Sequence, residues 1–426
     1  MSLPGPESVP RPHRIRRGAA LTVLFATVLA TAAATDSLPH DDAGGPRPAT
    51  GGAAHAGAAH AGTAHAGTAV RAPAETGRDV PAPRRGGTVR DEVARAAAEA
   101  AADGKSGAEA AQEVVSRSGD RWGAVYDRRE YEEFQRALDG SYTGVGLWAR
   151  RTAEGHVEVD RVQSGGPAAR AGLRPGDRIR AVDGRAARGH TAAEVVALLR
   201  GDGPDGGAAA AGAGSAVVLD LQRGTRAWTA TLRRARLATE PVTVRRLDDA
   251  VVIRVTAFTR GSGALVRRAV DRAPEGAGVL LDLRGNGGGL VTEAVAAASA
   301  FLDGGLVATY DVHGTENALY AESGGDTDRP LVALVDGGTM SAAELLTGAL
   351  KDRGRAVTVG SRTFGKGSVQ MPSRLPDGSV AELTVGHYRT PAGVRVDGRG
   401  ITPDVPAPTG TVERARTVLS GLGAGT

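Results

Sequence analysis

Between residues 242 and 360 the chain alternates short apolar runs with segments rich in alanine and leucine, and this alternation restricts the fold more than any other feature. The apolar runs have the length of strands, and the segments between them have the length of helices. Strands are predicted at residues 251–255, 278–283, 331–335 and 356–360, and helices at residues 264–271, 290–302 and 342–351. Because strand, helix and strand in succession favour parallel pairing, the pattern predicts an α/β domain with a mainly parallel sheet.

The N-terminus has the pattern of an export signal. Four arginines precede an uncharged run at residues 18–34 that is rich in leucine, valine and alanine: Arg11, Arg14, Arg16 and Arg17. Residues 1–34 are therefore predicted to form a signal peptide or an uncleaved anchor. An uncleaved anchor would contact the membrane through its apolar residues 18–34. We expect an exported protein that is either secreted or held on the outer face of the cytoplasmic membrane.

Residues 35–87 contain glycine, alanine, proline and threonine with almost no large apolar side chains, a composition that predicts a disordered linker. A repeated Ala-His-Ala-Gly unit within it places imidazoles at His55, His60 and His65. Three imidazoles can bind a metal, but a short repeat in a low-complexity segment is more typical of sequence drift. We predict no metal site and no cofactor.

The remaining chain divides into four predicted parts. Residues 88–140 form a helical N-terminal segment, residues 141–238 a module of short strands with glycine turns, residues 239–412 the α/β core and residues 413–426 a C-terminal tail.

The formal net charge of the 426-residue chain is only +4, and no basic stripe with interleaved aromatic side chains is present, so no nucleic-acid partner is expected. The absence of cysteine excludes disulfides and a thiol nucleophile.

The module at residues 141–238 contains three short signatures in a fixed order. Residues 143–147 read Thr-Gly-Val-Gly-Leu, residues 171–179 read Ala-Gly-Leu-Arg-Pro-Gly-Asp-Arg-Ile, and residues 182–184 read Val-Asp-Gly. The first alone would be typical of a turn at a strand end, but the set resembles a PDZ domain. The resemblance implies that backbone N–H groups in the glycine loop bind the C-terminal carboxylate of a peptide and that apolar side chains form its pocket. These residues are Gly144, Val145 and Gly146 in the loop and Leu147, Val195 and Leu198 in the pocket.

Lysine is rare, which draws attention to Lys366. Lysine and arginine together number 52, yet the lysines are only Lys105, Lys351 and Lys366. A buried lysine can lose its proton and act as a base, whereas arginine stays charged. The surrounding sequence, residues 360–366, also matches a P-loop except at its final position, where Gly367 replaces the Ser or Thr that binds Mg²⁺. The residues that follow favour a strand, although a P-loop requires a helix there.

Ser341 lies twenty-five residues before Lys366, directly after a predicted strand and before a predicted helix. Residues 341–344 read Ser-Ala-Ala-Glu, which fits a helix-capping box and gives Ser341 a structural alternative to the role of nucleophile. A helix N-terminus also offers free N–H groups to an oxyanion. The glycine loop at residues 285–289 follows another predicted strand, and it is either a plain turn or a second source of such N–H groups.

These segments, together with residues 388–393 and 400–405, resemble the C-terminal processing peptidases, the tail-specific serine proteases of family S41. The resemblance spans residues 142–405 and implies a PDZ domain joined to an α/β core of the crotonase-like type. It further implies that Ser341 is the nucleophile, that Lys366 is the general base and that Gln370 orients the lysine. Backbone N–H groups of Gly288 and Ala342 would form the oxyanion hole, with Gly287 as the alternative to Gly288. The chain departs from the family pattern at Asp336, Met340 and Ala343.

The expected function is that of an exported serine endopeptidase that recognises proteins and peptides with free apolar C-termini. A catalytically silent PDZ adaptor is the alternative. A Ser-His-Asp triad would have to use His313 or His387, and neither lies in a recognisable arrangement with a carboxylate.

Overall fold

The computed structural model describes residues 88–201, 212–312 and 315–423. The predicted signal or anchor, the predicted linker with its three histidines, and His313 lie outside the described residues. Within the described ranges, no helix is both long enough and apolar enough to cross a membrane.

The N-terminal segment forms three helices and one short strand. They are α1 (Val89–Ala102), α2 (Gly107–Arg117), β1 (Ala124–Tyr126) and α3 (Arg128–Leu138). Each helix begins after a residue whose side-chain oxygen accepts a hydrogen bond from the third N–H of the helix, which fixes its start: Thr88, Ser106 and Asp127. The apolar faces of α1 and α2 pack on Leu375, Ala381 and Leu383 of a hairpin from the α/β core.

The next part of the chain is a strand-rich module. Its elements are β2 (Ser141–Gly144), β3 (Leu147–Arg151), β4 (Val157–Val162), α4 (Pro167–Arg170), β5 (Arg178–Val182), β6 (Arg185–Ala186), α5 (Ala192–Arg200), β7 (Ala216–Arg223), β8 (Arg226–Arg233) and β9 (Ala235–Ala238). The main sheet has the order β3-β4-β5-β7-β8, while β2 and β9 pair separately. Strand β3 therefore lies at an edge of the sheet, beside α5.

The α/β core follows. Its elements are β10 (Val242–Arg246), β11 (Ala250–Val255), α6 (Ser262–Asp271), β12 (Gly278–Asp282), α7 (Val291–Ala298), β13 (Leu306–Val312), β14 (Thr315–Tyr320), β15 (Leu331–Val335), α8 (Ala342–Asp352), β16 (Val357–Gly360), β17 (Ser368–Arg374), β18 (Val380–Arg389), β19 (Val405–Pro406) and α9 (Thr411–Gly423). One sheet has the order β10-β11-β12-β15-β16-β19, in which every pair except β10–β11 is parallel.

Both faces of this sheet are buried, which explains its apolar strands. In β12, Leu281 packs with the helices α6, α7 and α8 on one face, while Leu280 packs with Ala415 and Leu419 of α9 on the other. Parallel strands covered on both sides have continuous apolar sequences. The predicted combination of a PDZ module with a mainly parallel α/β core is confirmed.

A second sheet of the core joins the N-terminal segment to the rest of the molecule. Its order is β1-β18-β13-β14, and β17 pairs with β18. Neither β1 nor the β13–β14 hairpin has a pattern that predicts it from the sequence, and α9 lies almost wholly within the predicted tail. Strand β1 has only three residues, too few for a periodic pattern to identify.

Candidate active site

Ser341 has a backbone conformation that is rare for residues other than glycine. It lies between β15 and α8, with φ 56° and ψ −119°. Such conformations cost about 1–3 kcal/mol, and they cluster at functional sites where the surrounding structure enforces them. A serine on a strained turn from strand to helix is also the arrangement of the nucleophile elbow in other hydrolases. The strain therefore favours a functional role for Ser341 over a purely structural one.

The start of helix α8 is held by hydrogen bonds between Ser341 and Glu344. The N–H of Glu344 donates to the carbonyl oxygen of Ser341 at 2.8 Å, and the N–H of Ser341 donates to the Glu344 carboxylate at 2.9 Å. The Glu344 carboxylate thus accepts the hydrogen bond from the N-cap N–H that a capping box requires. The Ser341 carbonyl oxygen and the Glu344 carboxylate together hold the turn.

Glu344 is fully buried and receives four hydrogen bonds. Oε1 accepts from the Thr363 hydroxyl at 2.6 Å and from the Gly365 N–H at 2.7 Å. Oε2 accepts from the N–H groups of Ser341 and Lys366 at 2.9 Å each. Burial raises the pKa of this carboxyl, and the four donors oppose the rise. One carboxylate therefore fixes the backbone at Ser341 and at Lys366 together.

Tyr388 provides a second link between the same two positions. Its hydroxyl lies 3.0 Å from the carbonyl oxygen of Ser341 and 3.2 Å from that of Lys366, so one proton is shared between two acceptors. Burial raises the pKa of Tyr388 well above its ordinary value, which keeps the hydroxyl protonated as a donor. The structure thus brings Ser341 and Lys366 together through their backbones.

The side-chain amine of Lys366 lies in an enclosed position against an aromatic ring. Its Nζ is 5.2 Å from the centre of the Trp122 ring. Burial lowers the pKa of Lys366, and the nearby carboxylates of Glu382 and Asp120 oppose this shift. Burial also raises the pKa of Glu382 to about 7, an effect that Lys366 reduces. Among the described residues, no hydrogen bond joins the amine to the Ser341 hydroxyl.

Gln370 lies close to the lysine but is bonded to other groups. Its Nε2 donates to the Ser368 hydroxyl at 2.7 Å and reaches the Thr384 hydroxyl at 3.4 Å. The Thr384 hydroxyl in turn donates to Asp120 at 2.7 Å. Gln370 is therefore connected to the surroundings of Lys366 through Thr384 and Asp120, and it makes no direct hydrogen bond to the amine within the described part of the chain.

The glycine loop after β12 packs directly against Ser341. A Cβ atom on Gly288 would lie 2.9 Å from the Ser341 Cβ and 3.2 Å from the Ala342 nitrogen, and the φ of Gly288 is +97°. The N–H of Gly288, a predicted oxyanion donor, donates instead to the Asn286 side chain at 2.9 Å. The N–H groups of Ala342 and Gly287 donate no hydrogen bond to any described residue.

The predicted peptide-binding residues of the PDZ module surround the β3 edge. Leu147 begins β3, and the Gly146 φ of +75° turns the chain into it. Leu198 on α5 is partly buried, whereas Val145, Leu147 and Val195 are buried members of the module's core. An extended peptide can add to a free sheet edge. The structure thus places the glycine loop, Leu147 and Leu198 at one edge, with Val195 behind them.

Neither the P-loop nor a Ser-His-Asp triad that uses His387 has the structure it needs. Residues Ser368–Arg374 form β17, so the strand takes the place of the helix that a P-loop requires. His387 faces Asp397 with Nε2 3.7 Å from its carboxylate, and it neighbours Tyr388 in β18. Successive side chains of a strand point to opposite faces, and Tyr388 points toward Ser341. His387 therefore points away from Ser341.

Comparison with known proteins finds two family matches in this chain. Residues 249–407 match Peptidase family S41, and residues 158–205 match a PDZ domain family. A solved structure described as the photosystem II D1 C-terminal processing protease is 31% identical and aligns with 74% of this chain and 86% of that chain, with a TM-score of 0.47. The chain belongs to peptidase family S41.

Curated relatives of this S41 chain carry names of the same kind. It is 33% identical over 319 residues to carboxyl-terminal-processing peptidase 2, chloroplastic, of Arabidopsis thaliana, an alignment of 70% of this chain and 60% of the relative. It is 31% identical over 294 residues to the carboxy-terminal processing protease CtpA of Bacillus subtilis, covering 68% of this chain and 61% of that protein. The chain thus spans about 60% of the length of these relatives.

Several polar and aromatic groups around Ser341 and Lys366 are not predicted as site residues from the sequence: Asp120, Trp122, Glu344, Glu382 and Tyr388. Glu344 was read only as the second member of a capping box, although a glutamate with no exposed surface needs several donors. Tyr388 lay inside a motif that the family resemblance used. Asp120 and Trp122 carried no local signal, because their partners Thr384 and Lys366 are distant in sequence.

Proposed function

We propose that this protein is an exported serine endopeptidase in which Ser341 is the nucleophile and Lys366 the general base, and which selects proteins by their free C-termini. The observation that carries the proposal is the shared support of Ser341 and Lys366. The Glu344 carboxylate and the Tyr388 hydroxyl each contact the backbone of both residues. A scaffold that fixes a strained serine and a desolvated lysine relative to each other suits a nucleophile and its base.

The proposed chemistry begins with attack of the Ser341 Oγ on the carbonyl carbon of the scissile peptide bond. Lys366, in its neutral form, accepts the hydroxyl proton and then delivers it to the leaving amine. The acyl enzyme is released by a water that Lys366 deprotonates in the same way. Burial favours the neutral amine by lowering its pKa. Catalytic hydrogen bonds often shorten only in the complex with substrate, which is compatible with the present separation of amine and hydroxyl.

The oxyanion that forms on the carbonyl oxygen needs two donors close to Ser341. The Ala342 N–H at the start of α8 is the first, and the glycine loop supplies the second through Gly287 or Gly288. Packing of Gly288 against the Ser341 Cβ supports a place for this loop beside the reacting carbonyl. The Asn286 side chain holds the Gly288 N–H, whereas the Gly287 N–H, the alternative donor, makes no hydrogen bond to any described residue.

The PDZ module is proposed to bind the substrate's C-terminus. The free edge of β3 beside α5 offers backbone groups to an extended peptide, and the loop of Gly144, Val145 and Gly146 lies at the start of that edge. Leu147 and Leu198 provide apolar contacts. Export through residues 1–34 would place the enzyme outside the cytoplasm, where fractionation of cells would locate it.

The second candidate function is a PDZ adaptor without catalytic activity, which the free β3 edge alone would support. A fluorophosphonate probe for active serines separates the two functions. We expect labelling of the wild-type protein at Ser341 and none of Ser341→Ala, together with cleavage of an unstructured substrate by the wild type alone. A folded wild-type protein that binds C-terminal peptides but shows neither labelling nor cleavage would favour the adaptor.

A further inference from the structure

The Asp120 side chain ties the turn after α2 to strand β18. Its carboxylate accepts from the N–H groups of Trp122 and Gly123 at 3.1 and 2.9 Å. It also accepts from the N–H and the hydroxyl of Thr384, each at 2.7 Å. Four donors on one carboxylate fix this turn relative to the strand. The backbone of Trp122 is therefore held in place by a contact with the core.

The turn places the Trp122 indole between a cation, an aromatic ring and the lysine of the site. The ring centre lies 5.2 Å from the Lys366 Nζ and 5.7 Å from the Phe364 ring centre. The Arg121 guanidinium carbon lies 4.7 Å from the same indole. Phe364 is 40% exposed and Trp122 is partly buried, so the indole is the less exposed of the two rings.

The indole has two opposite effects on the Lys366 amine. Its π-face attracts an ammonium by about 0.5–2 kcal/mol, which favours the charged form. Its bulk excludes water, which disfavours that form. Glu382, Asp120 and Arg121 are the charged groups around the amine and the indole, and Glu344 and Tyr388 contact the lysine's backbone. Burial is the largest influence on the pKa of Lys366 and outweighs both carboxylates, and the indole, with its ring centre 5.2 Å from the amine, is part of what buries it.

We propose that Trp122, held by the Asp120 turn, is a positioning residue for Lys366 that shields the amine from water and limits its directions. The N-terminal segment thereby completes the environment of the base, although it supplies no group that contacts the reacting bond. This inference rests on the proposed function for its catalytic consequence, while the contact between ring and amine can be tested without catalysis.

The catalytic test compares Trp122→Ala with Trp122→Phe. Loss of the indole admits water to the amine, so for Trp122→Ala we expect the acidic limb of kcat/KM to move to higher pH. For each pH unit by which the pKa of this limb rises, kcat/KM should fall about tenfold at pH values below that pKa. The loss should lie in kcat more than in KM. Trp122→Phe keeps an apolar ring and should recover most of the wild-type profile.

Trp228→Ala is the matched control, because Trp228 also stacks with a cation, Arg223 at 5.3 Å, but lies in β8 of the PDZ module. Its pH profile should follow the wild type. An acidic limb that stays in place for folded Trp122→Ala, or that moves equally for Trp228→Ala, would overturn the positioning role.

A spectroscopic test does not depend on hydrolysis or on the stability of Trp122→Ala. The chain has three tryptophans, so Trp148→Phe with Trp228→Phe leaves Trp122 as the single indole. With Ser341→Ala added, its emission is followed from pH 5 to 11. We expect a transition with a midpoint below the ordinary lysine pKa, which Lys366→Met removes and which Glu382→Gln retains.

The outcomes separate the two proposals. An emission curve that is the same with lysine or methionine at position 366 would show that the indole does not sense the amine, and the inference would fail even in an active peptidase. If the transition depends on Lys366 while Lys366→Arg keeps full activity, the ring contact holds and the proposed general base is wrong.

Discussion

The backbone N–H groups of Ser341 and Lys366 donate to the same oxygen, Glu344 Oε2, at 2.9 Å each. The two residues belong to different loops, one before α8 and one before β17. A single carboxylate oxygen thus sets the spacing of their backbones. Disturbing this oxygen should move both proposed catalytic groups at once.

Glu344→Gln should reduce both stability and activity, although glutamine has nearly the same side-chain shape as glutamate. Each oxygen of Glu344 accepts two donors, so the amide nitrogen would face two N–H or O–H donors in either orientation. We expect a loss of about 2–4 kcal/mol in the free energy of unfolding and at least a hundredfold loss in kcat. Urea unfolding and steady-state kinetics would measure these effects.

Glu194→Gln provides the matched control for this substitution. Glu194 has the same third position in helix α5 and accepts from the Thr191 N–H at 2.7 Å, but it is exposed. Its replacement should cost less than about 1 kcal/mol and leave kcat unchanged. Equal stability losses for the two variants would contradict the importance of burial at Glu344.

Lys366→Arg should abolish peptide hydrolysis as completely as Lys366→Met does. A guanidinium keeps the positive charge, but it cannot accept the Ser341 proton. Lys351→Arg is the control, because Lys351 pairs with Asp404 and should keep near wild-type turnover as arginine. Wild-type turnover by folded Lys366→Arg would remove the lysine from the role of base.

Glu382→Gln should move the acidic limb of kcat/KM to lower pH. The Glu382 carboxylate raises the pKa of Lys366, so a neutral amide at this position lets that pKa fall further. More of the amine is then neutral at pH 8, where burial no longer keeps the wild-type Glu382, with its pKa of about 7, protonated. The control is Glu316→Gln on the exposed strand β14, whose profile should match the wild type. A limb that stays in place or moves to higher pH would show that Glu382 does not act on the amine.

The same variant should change how stability depends on pH. Burial raises the pKa of Glu382 from 4.5 to about 7, so the folded chain holds this proton more tightly than the unfolded chain. The resulting stabilisation is complete below about pH 4 and is lost as pH rises through about 7. Glu382→Gln should therefore gain stability relative to the wild type at pH 8, by about 1–3 kcal/mol. Thermal unfolding at pH 5 and pH 8 would show whether the difference grows with pH.

Ser341→Gly should be more stable than Ser341→Ala, although both lose the nucleophile. At φ 56° and ψ −119°, alanine keeps the backbone strain and glycine relieves it, a difference of about 1 kcal/mol after the entropy of glycine is counted. Ser116 inside helix α2 gives the opposite control, since glycine there should be about 1 kcal/mol less stable than alanine. If the glycine variant were the less stable one at both positions, the backbone at Ser341 would not be strained.

The sequence predicted the parts of the fold that have strong local patterns. The strands β11, β12, β15 and β16 are largely apolar because helices cover both faces of their sheet. Strand β1 and helix α9 were missed for different reasons. Strand β1 is too short for a period to be detected, and helix α9 has only Ala415 and Leu419 buried along its length.

The candidate site could be predicted only in part, for reasons of distance along the chain. Ser341, Lys366 and Gln370 lie in short motifs, so the family resemblance identified them. Trp122 and Asp120 reach the lysine only because β1 pairs with β18, with Ala124 opposite Glu382. No local pattern encodes such a contact. Nor does composition reveal that the Gly288 N–H is held by Asn286.

Substrate choice should depend on a free C-terminal carboxylate. Amidating an unstructured substrate that ends in small apolar residues removes the charge that N–H groups at Gly144, Val145 and Gly146 would bind. Cleavage at limiting substrate concentration should slow about tenfold or more, which corresponds to loss of at least about 1.4 kcal/mol of binding free energy.

Leu198→Lys tests the pocket beside that loop. Leu198 is partly buried on α5 against the module's core, so a charged side chain there should weaken binding of apolar C-termini. Val218→Lys is the control, because Val218 on β7 is already 37% exposed. We expect Leu198→Lys to cleave the free and the amidated substrates at similar slow rates, while Val218→Lys keeps the discrimination. Equal cleavage of free and amidated substrates by the wild type would show that the PDZ module does not read the terminal carboxylate.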